Sequence, residues 1–192
     1  EAMRNPYSAY VWLNDDVELD RDALSRLWAA HTSGTGQAIL GCAMRGSKEG
    51  SASYSGSIQE GSHPFRFRRV EPDCARELEV DVLNGNLVLV PCIVTQKIGG
   101  FAKYLVHHGG DYEYCRRASR HGFRSRLLPG TFGVCASNPP GQRKRGLAGL
   151  RKAASPKHLP IRMGVPLYRE SGGPFWWVWL ASYYAKAFVK GF

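Results

Sequence analysis

Two acidic spots in this chain have the residue types and setting to do chemistry. The first closes the apolar run Tyr10-Val11-Trp12-Leu13, where Asn14 is followed by two adjacent carboxylates, Asp15 and Asp16. Read as a buried strand, the run delivers both acids to the C-terminal edge of a sheet, where open α/β folds bind ligands. Adjacent carboxylates repel unless a cation sits between them, so the arrangement points to a divalent metal with oxygen ligands. The second spot is Gly109-Gly110-Asp111-Tyr112-Glu113, far downstream. One carboxylate on a metal and one kept off it make a kit for moving a group off a diphosphate.

The elements that must position these groups can be read from pattern. Asp20 is expected to cap a helix over 21–30 in which Leu24, Leu27 and Trp28 share a face. Ala38 to Ala43 reads as the next buried strand. Gly46 to Ser62 is rich in Gly and Ser and reads as a loop with a short edge strand near Tyr54. Phe65 to Val70 alternates apolar and basic residues, a strand with one wet face. Val80 to Val90 reads as a strand interrupted at Asn84-Gly85, where a backbone bend or a ligand's approach is expected. Pro91 suits the first turn of a helix through Ile98, stopped by Gly99-Gly100. Asp111 opens a helix to about His121, closed by Gly122 in a left-handed cap. The dipole of that helix favours an ionised carboxylate at its start. Arg124 to Leu128 is a further strand, Pro139 to Pro160 an extended basic arm, and Pro174 to Ala185 an aromatic helix. His107-His108 is a weak metal candidate, because adjacent side chains in an extended segment point in different directions.

Composition sets the outer limits. With 192 residues, 43% hydrophobic and 22% charged, the chain has the make-up of an ordinary globular protein with a sizeable core. Five cysteines without paired spacing argue against a disulfide framework or a zinc ribbon and favour a reducing compartment. The N-terminus shows no basic-then-apolar secretion pattern, so a cytoplasmic location is expected, peripheral to the inner face of the plasma membrane if the C-terminal helix meets lipid. The net charge of +10 is lopsided: fifteen of sixteen acids lie at or before Glu113, and thirteen Lys or Arg fall between Tyr114 and Arg169 with no acid among them. Such a surface is either simply solvated or attracts anionic lipid or phosphate-bearing ligands. The aromatic helix is shorter than the roughly 20 apolar residues of a membrane span, and suits an interface or a homodimer contact.

Three blocks, in order, resemble the family 2 glycosyltransferases of GT-A fold, most closely the bacterial rhamnosyltransferase-like branch that builds cell-surface polysaccharide. Tyr10 to Val17 looks like the strand ending in that family's DXD-type motif. Leu83 to Pro91, continuing to Phe101, is similar to its acceptor-side segment. His107 to Ala118, followed by His121-Gly122-Phe123 and Pro129-Gly130, looks like its ED-type catalytic helix. Ser155 to Pro160 and Gly172 to Trp176 are similar to tails in that branch, so the resemblance covers nearly the whole chain.

The resemblance implies an α/β GT-A fold with a mixed sheet flanked by helices, over 1–138, followed at 139–192 by the basic arm and aromatic tail. It implies that Asp16 holds Mg²⁺ or Mn²⁺ under the donor's two phosphates, with Asn14 and Asp15 on the donor. Asn14 stands where many members have Asp, and Cys135 about where many carry a His. Asn84, Gly85 and Gly110 fall on the acceptor side, Gly110 replacing the more usual Glu. Asp111 matches the general base, and Glu113 and Arg117 stand one helical turn apart, at ion-pair spacing. The implied activity is inverting transfer of a sugar from a nucleotide-diphosphate donor to a hydroxyl of a saccharide or lipid-linked acceptor. Only nine residues precede Tyr10, so the strand-helix-strand that grips the nucleotide in relatives is expected to be missing from this chain. The competing reading is a non-catalytic basic module that binds membrane or another polyanion; nucleic acid is not expected, since no nucleic-acid fold signature accompanies the basic arm.

Overall fold

The Tyr10 run does form a strand, but an open one. In the structure, a computed structural model describing residues 7–34, 36–46, 51–106, 109–136 and 143–191, β1 (Ala9–Leu13) lies at one end of a seven-stranded mixed sheet. Tyr10 and Trp12 turn inward while Val11 and Leu13 are exposed. The expected buried strand is therefore a half-buried edge strand, paired antiparallel to β9 (Leu87–Pro91). Its alternating burial is the signature of a sheet with one solvated face.

The chain divides into two compact units. The first comprises 1–58, 67–100 and 114–137; the second comprises 59–66, 101–113 and 138–192. In the first unit the chain runs from β1 through β2 (Glu18–Leu19), α1 (Ala23–Ser33), β3 (Ile39–Arg45), β4 (Ala52–Tyr54) and β5 (Gly56–Gln59). It continues with β6 (Phe67–Arg69), β7 (Leu78–Val80), β8 (Val82–Leu83), β9 and α2 (Cys92–Ile98). Helix α3 (Gly110–Arg120), which joins this unit at Tyr114 and has its first turn in the second, and strand β10 (Ser125–Val134) follow. The main sheet runs β1-β9-β3-β10-β2, with β4 added to β3 and β7 to β10; β6-β5-β8 form a smaller sheet. Among the described residues, β3 with β10 is the parallel pairing of the main sheet and the others are antiparallel. The architecture is thus mixed α/β, a curled mixed sheet flanked by helices.

β3 is buried along nearly its whole length and sits at the centre, as a continuous apolar run should. Gly41 has no room for a side chain: a Cβ there would lie 2.2 Å from Leu83 Cδ2. The core under the sheet is built from Leu27, Leu40, Met44, Leu87, Leu89, Leu128 and Phe132. The expected interruption at Asn84-Gly85 is where the chain passes from β8 in the small sheet to β9 in the large one.

Helix α1 departs from its sequence reading. It begins at Ala23 after Asp22, and no side chain caps it. Asp20 instead grips Arg45 with both oxygens, at 2.8 and 2.6 Å. The helix buries Ala23 and Leu27, whereas Leu24 and Trp28 are 53% and 49% exposed. Leu27 of the predicted trio does face inward, but it shares that face with Ala23, one turn before it, and not with Leu24 or Trp28. Arg26 on the same helix lies over the Phe132 ring at 3.9 Å and donates to the carbonyls of Pro129 and Thr131.

The segment read as a loop from Gly46 contains β4 and β5, with 47–50 outside the described residues. The region read as an extended arm contains α4 (Gly146–Ala153), and 137–142 are not described. α5 (Ile161–Ser171) follows, then a 3-10 turn at Gly173–Phe175 and α6 (Trp176–Val189), longer than the sequence suggested. The second unit has its own core, where Leu159, Met163, Leu167, Tyr168 and Leu180 pack with Phe65, Tyr104, Trp176 and Trp179. No described helix is long and apolar enough to cross a membrane.

Candidate functional site

β1 ends at Leu13, and Asn14, Asp15 and Asp16 form an exposed turn before β2. This turn is tied to a segment more than seventy positions away. The Asn14 backbone N–H donates to the Asn86 carbonyl at 3.2 Å, and Asn14 Nδ2 donates to Asn86 Oδ1 at 2.7 Å. Asn86 is only 3% exposed. Its own N–H donates to Asn84 Oδ1 at 3.2 Å, a side-chain turn that shapes the bend around Gly85. The structure therefore brings Asn14, Asp15 and Asp16 together with Asn84 and Gly85, through a residue that sequence reasoning passed over. The signal was present in the repeat Asn84-Gly85-Asn86, since a second Asn directly before a buried strand needs a polar partner.

Cys135 completes this cluster. β2 pairs antiparallel with the end of β10, Glu18 opposite Val134 and Leu19 opposite Gly133. One step further, that register lays the Asp16-Val17 segment along Cys135. The Cys135 thiol is buried, and burial pushes its pKa up; the neighbouring Asp16 charge pushes it further, while the Asn86 side chain pulls it down. The thiol is thus within reach of both Asp16 and Asn86. Asn86 Nδ2 makes no full hydrogen bond among the described residues and has the Cys135 sulfur as its neighbour, a weak acceptor for a buried amide. Gly133 allows the two strands this close: a Cβ there would lie 2.4 Å from the Glu18 carbonyl oxygen.

The second acidic spot belongs to the other unit. Gly110 and Asp111 lie in the first turn of α3, as expected, and Asp111 Oδ1 accepts the Tyr112 backbone N–H at 2.9 Å. Gly110 suits its position, since a Cβ would approach Phe101 Cδ1 to 3.3 Å. Glu113 is buried and its N–H donates to the Gly109 carbonyl. The far end of α3 closes as read from Gly122. Gly122 has φ +85°, its N–H bonds the Ser119 carbonyl, and the Phe123 N–H bonds that of Ala118, the paired bonds of a Schellman cap. Arg117 donates to the carbonyls of Ile98 and Gly100, so it fastens the end of α2. His107 and His108 lie outside the described residues.

Among the described residues, no group of three or more His, Cys, Asp and Glu side chains is set to hold a metal ion. The donors on offer at the first spot are the exposed carboxylates of Asp15 and Asp16, with the Cys135 thiol behind them. No protein-family model matches the chain, and no curated protein is significantly similar to it.

Proposed function

We propose that the chain serves an inverting glycosyltransferase of GT-A fold, in which a sugar passes from a nucleotide-diphosphate donor to a hydroxyl of a saccharide or lipid-linked acceptor. The observation that supports this reading is the Asn14–Asn86 clasp. It joins the DXD-like turn to the Asn84-Gly85 segment, the two stretches that the family resemblance assigns to donor and acceptor. In this reading the work is part of cell-surface polysaccharide synthesis on the cytoplasmic face of the envelope.

The residues at the turn fit a hard divalent cation. Mg²⁺ is ordinarily held by one or two carboxylates together with waters and substrate phosphates, without a protein cage. Asp16, beside Asp15 on an exposed turn, offers that kind of partial ligation. Mg²⁺ or Mn²⁺, when bound, would offset the charge that grows on the departing diphosphate. Asn14, neutral where an acid is usual, hydrogen-bonds rather than adding charge, and its bond to Asn86 holds the turn in place.

Asp111 acts in this mechanism as the general base. Its carboxylate accepts the proton of the acceptor hydroxyl while that oxygen forms a bond to the anomeric carbon. The carbon–oxygen bond to the diphosphate breaks on the opposite side, its electron pair leaves with the nucleoside diphosphate, and the configuration inverts. A base of this kind contributes about 10²–10⁴-fold. The position of Asp111 at the start of α3 favours its ionised form.

The test uses the gene product that contains this chain, incubated with a panel of nucleotide sugars and scored for nucleoside diphosphate release. Asp111→Asn should lower transfer by about 10²–10⁴-fold and leave donor binding near normal. Asp16→Ala should remove the Mn²⁺-dependent part of donor affinity. Transfer that survives Asp111→Asn, or donor affinity that ignores Asp16, rejects the assignment.

A further inference from the structure

The C-terminal unit holds a basic cavity that glycosyl transfer as described above does not use. It is lined by Arg143, Tyr183, Lys186, Lys190 and Gly191 and encloses about 430 Å³. Tyr183, Lys186 and Lys190 stand at i, i+3 and i+7, one stripe along the last two turns of α6. Arg143, three positions before α4, reaches the same cavity. That approach is held by glycines. A Cβ at Gly149 would lie 2.4 Å from the carbonyl oxygens of Ala187 and Lys144, and one at Gly191 would lie 3.0 Å from Arg145 Cγ.

Cations at the end of a helix are ordinary, since they complement its dipole, and this accounts for Lys186 and Lys190. It accounts neither for Arg143, which is not part of α6, nor for a cavity between the three. No carboxylate among the described residues pairs with any of the three cations. Three convergent positive charges without a counter-charge are a site for a multiply charged anion. Tyr183 adds a hydroxyl whose pKa is pushed far up by burial, so that it remains a hydrogen-bond donor.

The surroundings decide which anion. α6 leaves Trp177, Val178, Phe188 and Val189 exposed, and Val189, three positions after Lys186, brings this apolar strip up to the cavity lysine. Apolar and Trp side chains beside cations are the composition of a helix lying in a lipid interface. A free phosphate has no use for that apolar face.

We infer that the Arg143–Lys186–Lys190 cavity binds the phosphate of a membrane lipid whose headgroup carries at least two negative charges, a phosphomonoester or a diphosphate, while the exposed face of α6 enters the bilayer surface. The site is independent of the glycosyltransferase reading and stands or falls without it.

The experiment is co-sedimentation of the full chain with three vesicle types: phosphatidylcholine alone, phosphatidylcholine with phosphatidylglycerol, and phosphatidylcholine with phosphatidic acid at matched surface charge. The expected order is tightest binding to phosphatidic acid, weaker binding to phosphatidylglycerol and little to the neutral vesicle. Lys186→Gln/Lys190→Gln should erase the phosphatidic acid preference, at about tenfold per cation removed. Arg151→Gln/Arg162→Gln takes the same charge from exposed positions on α4 and α5, and should weaken both anionic vesicles alike while keeping the preference. Thermal melting of each variant checks folding, and the single variant Lys186→Gln repeats the measurement with less perturbation. Equal binding to charge-matched vesicles, equal losses in the two double variants, or binding of inorganic pyrophosphate or an RNA oligonucleotide without vesicle binding would each overturn the assignment.

Discussion

Replacing Asn86 by alanine tests whether the turn that carries Asp15 and Asp16 is held from below. The substitution removes the 2.7 Å bond from Asn14 Nδ2 and leaves the two backbone bonds at this place, from Asn14 to the Asn86 carbonyl and from Asn86 to Asn84 Oδ1. Asn14 is exposed, so water can satisfy its freed amide. The loss is then the net value of one partly buried hydrogen bond, about 1 kcal/mol, with a further fraction for the space vacated in a buried position. Removing Asn86 Nδ2, which makes no full hydrogen bond among the described residues, works in the opposite direction. A total near 1–1.5 kcal/mol corresponds to a Tm decrease of about 4–8 °C for a unit of this size. A double-mutant cycle with Asn14→Ala isolates the pair and should give a coupling energy of about 1 kcal/mol. Calorimetry of the four proteins supplies the stabilities, and Mn²⁺-dependent binding of a nucleoside diphosphate supplies the functional readout, which should weaken in both single variants. A coupling energy indistinguishable from zero, with unchanged diphosphate binding, would show that the clasp neither stabilises the turn nor orients Asp16.

Two further outcomes follow from the packing and charge described above. Gly133→Ala should destabilise the first unit by about 1–3 kcal/mol, because the added Cβ meets the Glu18 backbone, which cannot swing aside as a side chain can; chemical denaturation measures this, and a neutral result would mean that β2 and β10 are not pressed together there. His63 lies in the second unit against Trp179 and Tyr168, and its Nδ1 accepts the Phe65 N–H. Burial, then the charges of Lys186 and Arg66, lower its pKa from the ordinary 6.5. A lowered folded-state pKa means that its contribution to stability is complete above about pH 6.5 and is lost as the pH falls through the folded value. Melting of the second unit should therefore become pH-dependent below that point, and His63→Gln should flatten the dependence; an unchanged profile would assign it to other groups.

Features whose cause lies within a few residues were legible in the chain alone. Pro91 and Gly99 bound α2, and Asp111 and Gly122 bracket α3, because capping and backbone freedom act over one turn of helix. Asn84-Gly85 marks a bend for the same local reason. The aromatic run from Pro174 forms the helix its composition suggested. Strand pairing is different in kind. Whether Asp20 caps α1 or grips Arg45 depends on β2 lying beside β10, and whether β1 is buried depends on there being one partner strand or two. Neither question has an answer within the segment itself.

The candidate site divides along the same line. Residue types and order nominated Asn14, Asp15, Asp16, Asn84, Gly85, Gly110 and Asp111, since carboxylates after an apolar run and glycines at a bend are visible as letters. That Asn86 fastens the acidic turn and that Cys135 stands behind Asp16 came only from the fold, which brings together positions 14, 86 and 135. The basic cavity shows the same dependence: an excess of Lys and Arg is plain in the composition, yet only the close approach permitted by Gly149 sets Arg143 near Lys186 and Lys190. A sequence determines which groups are present and how each short stretch prefers to bend. Which of them meet is decided by packing, because the free energy of burial depends on the whole set of contacts and belongs to no single segment.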